Sequence, residues 1–144
     1  MKLLLDELVP APMANALKGL LIEHDVIHVE DLKWKGKKDL ALLADANRQG
    51  FDAILTNDRG QFNDPDECDA IRRSRLHHIS YTIRDGMDGL ALAVASVSAA
   101  MRPIMRELSA LPNQHVVKIT AISPNGKRYE LTNPMHQPPS KYWR

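Results

Sequence analysis

A single cysteine, Cys68, excludes an intrachain disulfide framework and fits a reducing compartment. Charge of one sign is also missing. Nineteen Lys and Arg against eighteen Asp and Glu leave a net +1, so no global basic field recruits nucleic acid or an anionic membrane. A nucleic-acid partner has to be held by a local basic patch. The longest weakly polar run, GLALAVASVSAAM at 89–101, is short of the ~20 residues a membrane span requires. MKLLL at the start meets Asp6 and Glu7 at once, whereas a secretory apolar region needs roughly 7–15 residues. The expectation is a soluble, cytoplasmic protein with no membrane partner. No Gly-rich phosphate loop follows an apolar run and no G-x-S-x-G elbow occurs. The six histidines and Cys68 lack zinc spacing, and no internal repeat is visible.

What is present is a regular alternation of short apolar runs and helical patterns within 144 residues, the length of about one domain. Leu3, Leu4 and Leu5 read as a strand buried on both faces. Pro10 and Pro12 set up a helix carrying Met13, Ala16, Leu17, Leu20 and Leu21 on one side. HDVIHV at 24–29 is a second strand, and a second helix places Leu40, Leu43, Ala44 and Asn47 together before Gly50 ends it. AILT at 53–56 is the third strand. The βαβαβ order implies a parallel sheet with right-handed crossovers. NDPDECDAIRR predicts a helix capped by Asp64 with Pro65 at its first position, and HHISY at 77–81 a fourth strand.

Leu90, Val94, Val97, Met101, Ile104, Leu108 and Leu111 then recur at alternating spacings of four and three on a long helix over 87–111. Pro103 should kink or split it. This helix is expected to cover one face of the sheet, and its seam is also a candidate homodimer surface. HVVKITAISPNGKRYELT at 115–132 reads as a hairpin turning at Pro124–Gly126, with Val117, Ile119, Tyr129 and Leu131 on one face. The remaining tail is irregular. The expected division is a main domain over 1–112 and a hairpin-and-tail extension over 113–144.

In open parallel sheets, ligands collect beyond the carboxyl ends of the strands. Asp6, Glu7 and Asp58 fall there, and Asp39 opens the second helix on the same edge. Crowded carboxylates repel unless one is protonated or a cation joins them. Mg²⁺ or Mn²⁺ suits such oxygen donors, activates water and stabilises an in-line phosphoryl displacement. Glu7 is the weaker candidate, since along a continuing strand it faces away from Asp6. Asp64, Asp66, Glu67 and Asp69 read as helix-start acids, one of them a candidate extra ligand. Lys33, Lys35, Lys37 and Lys38 surround Trp34 just before Asp39, a group able to hold a nucleic-acid backbone and stack a base.

KLLLDELVP and HDVIHVEDLKWKGKKDLALLADANRQGFDAILTNDRGQF resemble the PIN-like proteins of the Mut7-C/DUF5615 type, relatives of VapC toxins, over roughly residues 1–80. Leu8 and Lys38 depart from the usual pattern. The resemblance implies a three-layer α/β fold with a central parallel sheet, and Mg²⁺- or Mn²⁺-dependent RNA cleavage, often as the toxin of a toxin–antitoxin pair. By position, Asp6, Asp39 and Asp58 become the metal-binding acids with Glu7 less certain, and Arg59 steadies the phosphate. Lys35, Lys37 and Lys38 are the further candidate RNA contacts. The extension is expected to dock an antitoxin or join subunits. Two other readings compete. One is a non-catalytic binding module on the same fold. The other is a receiver-like phosphoacceptor, which also needs Ser or Thr and Lys on later strand ends: Ser80 and Thr82 are on offer, but no lysine lies between Lys38 and Lys118.

Overall fold

A computed structural model describes residues 1–34 and 36–143, including the backbone but not the side chain of Asp39. Five strands, β1 (Lys2–Leu5), β2 (Asp25–His28), β3 (Ala53–Asn57), β4 (His77–Tyr81) and β5 (Val116–Lys118), form one sheet in the order β2-β1-β3-β4-β5. Every pairing is parallel. The all-apolar reading of Leu3–Leu5 follows from this: a central parallel strand has helices on both sides and no solvent face, and all three residues are fully buried.

Helices α1 (Ala11–Leu20) and α4 (Gly86–Ser109) cover one face, packing with Leu3, Leu5, Leu55, Ile79 and Tyr81. Helices α2 (Asp39–Arg48) and α3 (Pro65–Ser74) cover the other with Leu4 and Ile54. The result is the expected three-layer α/β architecture. Asp64 caps α3 through its carboxylate, which accepts from the backbone N–H of Asp66 and Glu67, and Pro65 stands in the first turn.

Three helical faces or elements differ from expectation. Helix α2 buries Leu42, Leu43 and Ala46, whereas Leu40 is half exposed. In α4 the innermost residues are Gly89, Ala93, Ser96, Val97, Met101, Met105 and Leu108. At Gly89 the constraint is local: a Cβ there would lie 2.1 Å from the carbonyl oxygen of Arg84, in the turn that leads into α4. Pro103 does not split α4, because it sits on the exposed side of a continuous helix. By length and composition α4 could cross a membrane, but its apolar stripe is spent on α1 and the sheet.

The C-terminal hairpin is reduced to its first arm and a turn. Val116–Lys118 pairs in parallel with β4, and the Gly126 N–H donates to Ser123 O at 3.3 Å to close the turn. Among the described residues no strand follows, and Tyr129 and Leu131 are exposed. Alternation in 115–132 signalled extended chain correctly, but the free edge of β4 offered a better partner than a second arm did. The sheet and its core therefore run past residue 112, to Ile119.

The entry to β5 is pinned. Gln114 Nε2 donates to Ile71 O and Leu76 O, both at 2.7 Å, and the His115 N–H donates to His77 Nδ1 at 2.9 Å. That bond needs an unprotonated Nδ1. Burial and the nearby His115 ring hold the His77 pKa below its ordinary value of 6.5, against the pull of Asp52.

Two outcomes follow. Leu17→Ala removes a fully buried side chain and should lower unfolding free energy by about 2–5 kcal/mol. Leu131→Ala, at a position 89% exposed, should stay within about 0.5 kcal/mol of wild type; urea titrations read both. For His77, the unfolded chain takes up a proton below the ordinary value that the folded chain refuses, so stability falls with pH there. The urea midpoint should drop between about pH 7.5 and about pH 5.5, and drop less in His77→Asn, whose Oδ1 accepts the same bond without titrating.

Candidate functional site

Strand register assembles the site. Thr56 pairs with Ser80 and Ser80 with Lys118. Asp6 follows the Leu5–Leu55 pair, its N–H donating to Leu55 O at 3.0 Å. Asp6, Thr56, Ser80 and Lys118 thus form one row across the carboxyl edge of the sheet, on the side covered by α2 and α3. Asp58 lies one pleat beyond Thr56, its N–H donating to Tyr81 O at 2.7 Å.

Asp6 is well fixed. Oδ1 accepts the Glu7 N–H at 2.8 Å and Oδ2 accepts the Thr56 hydroxyl at 2.9 Å. Gln61 Nε2 in turn donates to Thr56 Oγ1 at 3.4 Å and to Asn57 O at 3.0 Å. Asp58 Oδ1 accepts the Gly60 N–H at 3.1 Å, closing a turn in which Gly60 adopts a φ of 75°. Each acid faces a cation. Arg59 Nη2 is 4.0 Å from Asp6 Oδ2, and Lys118 Nζ is 3.6 Å from Asp58 Oδ2.

Behind this rim lies a cavity of about 130 Å³ whose lining includes Asp6, Thr56, Arg59, Gln61, Glu67 and His78. His78 is 2% exposed, with Phe62 packed edge-on at 4.9 Å between ring centroids. Burial lowers its pKa, opposed by the charges of Asp58 and Asp6, so both acids act on this ring. On the opposite face of β4, burial and the Asp6 charge push Tyr81 up to about 12.

The expected site residues are distributed unevenly. Asp6, Asp58 and Arg59 share the rim. Glu7 lies in the turn after β1 and is not among the residues lining the cavity. The backbone of Asp39 opens α2 as expected; its side chain, like Lys35, lies outside the described residues. Lys37 pairs with Asp45 and sits 5.0 Å over the Trp34 ring, and Trp34 packs against Phe51. That loop is therefore tied to α2 and the core, not presented as an open stacking platform. The Lys37 contact, with Arg48, also holds the Asp45 carboxyl below its ordinary range. Lys38 is exposed at the start of α2.

Three participants were not singled out from sequence. Glu67 was grouped with the helix-start acids, and only the placement of α3 brings it to the cavity. Lys118 was assigned to a hairpin. His78 stands within HHISY with no zinc spacing to mark it; its register beside Ile54, on the face that carries Thr56, is the available signal.

The donor set suits a hard divalent cation, since Mg²⁺ commonly takes one or two carboxylates and keeps several waters. Among the described residues no group of three His, Cys, Asp or Glu side chains forms a metal cage. Asp6 and Asp58 are the two rim carboxylates that such an ion would have to use, each now facing a cationic side chain.

A sequence model for one family, described as a PIN like domain, matches residues 1–82. No curated protein and no solved structure matches the chain. The matched segment runs from β1 to β4 and contains Asp6, Asp39, Asp58, Arg59 and Glu67, while Lys118 lies beyond it. Covering more than half of the chain, with its acids at the carboxyl edge of a parallel sheet, the match shows that this protein belongs to the PIN-like domain family, a nuclease-type superfamily.

Proposed function

We propose that this chain is a Mg²⁺- or Mn²⁺-dependent endoribonuclease of the Mut7-C type, related to VapC toxins. It would act in the cytoplasm as the toxin of a toxin–antitoxin pair. The observation that carries the nuclease reading is the pair of carboxylates, Asp6 and Asp58, on neighbouring strand ends with Arg59 and Lys118 beside them. Asp6 and Asp58, joined by position by Asp39 and with Glu67 in the cavity lining, would hold the ion. The bound ion supplies an activated water and charge stabilisation for phosphodiester hydrolysis. Arg59 and Lys118 are exposed enough to turn from their carboxylates to a phosphate, and their pairs are weak, about 0–1 kcal/mol for exposed ions. Thr56 holds Asp6 in one rotamer, so that the acid meets the ion without prior reorganisation. Lys38, exposed at the start of α2, is a further candidate contact to the RNA backbone. The antitoxin partner belongs to the proposal on the strength of the resemblance; a homodimer through α4 would have to use the side left exposed after packing, where Ala91, Ala95 and Ala99 stand.

Asp6→Asn and Asp58→Asn should each abolish Mg²⁺- or Mn²⁺-dependent cleavage of single-stranded RNA while circular dichroism and urea midpoints stay near wild type. Thr56→Val keeps the shape and removes the bond to Asp6, and should weaken metal affinity or activity by about 10–100-fold. Full cleavage by both Asn variants would dismiss the nuclease reading.

A second reading has a specific observation behind it. The order β2-β1-β3-β4-β5 is that of flavodoxin-like sheets, a class that includes phosphoacceptor domains. The lysine missing between Lys38 and Lys118 is supplied by Lys118 itself, on β5 and facing Asp58; Ser80 occupies the same row. On that reading Asp58 accepts a phosphoryl group. Incubation with acetyl phosphate and Mg²⁺ followed by intact mass should show no added phosphate if the nuclease reading holds, and one phosphate, lost in Asp58→Asn, if the second does.

A further inference from the structure

We propose that the cavity behind the acid rim is a pocket for one unpaired pyrimidine base of the RNA, which sets the adjoining phosphate against Asp6 and Asp58; this rests on the nuclease reading.

An ion and a phosphate need only the rim. The recess behind it has a different character. Leu42 and Leu43 from α2 and Ala70 and Ile71 from α3 wall it, with Ile54 and His78 contributed by the sheet. Aliphatic walls behind a charged mouth suit a flat heterocycle on a charged backbone: the ring faces pack on the aliphatic side chains while the phosphate stays at the rim. Size narrows the choice. An apolar cavity of roughly 150 Å³ accommodates benzene, so one of about 130 Å³ with an open mouth takes a single six-membered ring. A purine bicycle exceeds it.

His78 supplies the second, independent observation. It is 2% exposed, lines the cavity, and its Nδ1 has no hydrogen-bond partner among the described residues. An unmet polar group so deeply buried is costly in a folded protein and marks a place where a partner is missing. The unmet Nδ1 of a neutral imidazole is a donor or an acceptor according to its tautomer, and the polar edge of either pyrimidine carries a group able to meet it with one hydrogen bond. Phe62, edge-on to the ring, holds the imidazole in place. Gln61, oriented through Thr56 and the Asn57 carbonyl, is a neutral polar group of the lining, which Thr56, Glu67 and the rim residues Asp6 and Arg59 complete.

The test separates the pocket from the chemistry. Full-length protein in EDTA is titrated with UMP, CMP, AMP, GMP and ribose 5-phosphate while imidazole ¹⁵N and Leu and Ile methyl resonances are followed. UMP or CMP should shift the His78 ring and the methyls of Leu42, Leu43 and Ile71 saturably, with AMP, GMP and ribose 5-phosphate much weaker. Ala70→Leu, which fills the recess, should weaken pyrimidine binding by about tenfold or more. It should also erase any pyrimidine preference beside the scissile bond while cleavage persists. Equal shifts by purines or ribose 5-phosphate, or none by any nucleotide, overturn the pocket; they leave the nuclease reading standing if RNA is cut. Pyrimidine binding by a protein that cuts no RNA with Mg²⁺ or Mn²⁺ does the reverse. Should Ala70→Leu fail to fold, the wild-type titration decides alone.

Discussion

Parallel pairing of β1, β3, β4 and β5 in a single register is the constraint from which the site follows. Side chains alternate faces along each strand, so a fixed register aligns them in rows across the sheet. The row that begins with Asp6 passes through Thr56 and Ser80 to Lys118. A slip of one residue at any of these pairings would turn that strand's member of the row to the α1–α4 side. Burial on both faces prevents the slip. Leu3, Leu5 and Leu55 fit only against α1 and α4, and Leu4 and Ile54 only against α2 and α3. The chemistry at the edge is therefore specified by the apolar residues that precede it. The backbone bonds Asp6 N–H to Leu55 O and Asp58 N–H to Tyr81 O carry the parallel ladder beyond the last strand residues to the acids themselves.

Held in this way, the two carboxylates are rigid and the two cations are not. Asp6 and Asp58 are anchored by backbone N–H groups and a hydroxyl, with side-chain exposures of 15% and 28%. Arg59 and Lys118 are 53% and 72% exposed at the side chain and approach their acids no closer than 4.0 and 3.6 Å. Such pairs contribute little to stability. Fixed anions with loosely held cations are what a site needs if cations are to be exchanged between protein and substrate: an ion can take the carboxylates, and the displaced Arg and Lys can take a phosphate. The opposite arrangement, short bidentate pairs, would oppose that exchange.

The sequence was informative wherever periodicity alone determines an element. Strands β1 to β4 and helices α1 to α4 stand where alternation, apolar runs and capping residues placed them, and Asp64 and Pro65 open α3 as their chemistry requires. It was less informative where a choice of partner decides the outcome. Residues 115–118 read as extended because Val116 and Val117 favour strands, but nothing local distinguishes an antiparallel second arm from a parallel neighbour; only the open edge of β4 does. Lys118 was lost to the site for the same reason. Faces defined by large apolar residues also misled slightly. In α4 the buried side includes Gly89 and Ala93, with little side chain to report it, while Leu90 and Val94 are only partly buried. Lys37 and Trp34 looked like a nucleic-acid patch by composition, yet an acid eight residues on, Asp45, and the Phe51 ring engage them.

Residues beyond the family match change what the matched part can do. With β1 to β4 alone, β4 would be an edge strand with unpaired backbone groups, an invitation to pair with another chain. Strand β5 covers that edge, and the same three residues deliver Lys118 to Asp58. Covering the β4 edge and completing the charge pattern of the site are thus one event. It is also a weakly secured event. β5 is short and Val116 is 59% exposed. Its entry depends on the Gln114 bonds to the end of α3 and on an unprotonated His77. Local openings draw on elements with little buried apolar surface; the three residues of β5 are exposed or half-buried and only Ile119 beyond them reaches the core, whereas Asp6 and Asp58 directly follow the buried strands β1 and β3. The rigid acids and the removable lysine have different stabilities because they stand on strands of different burial.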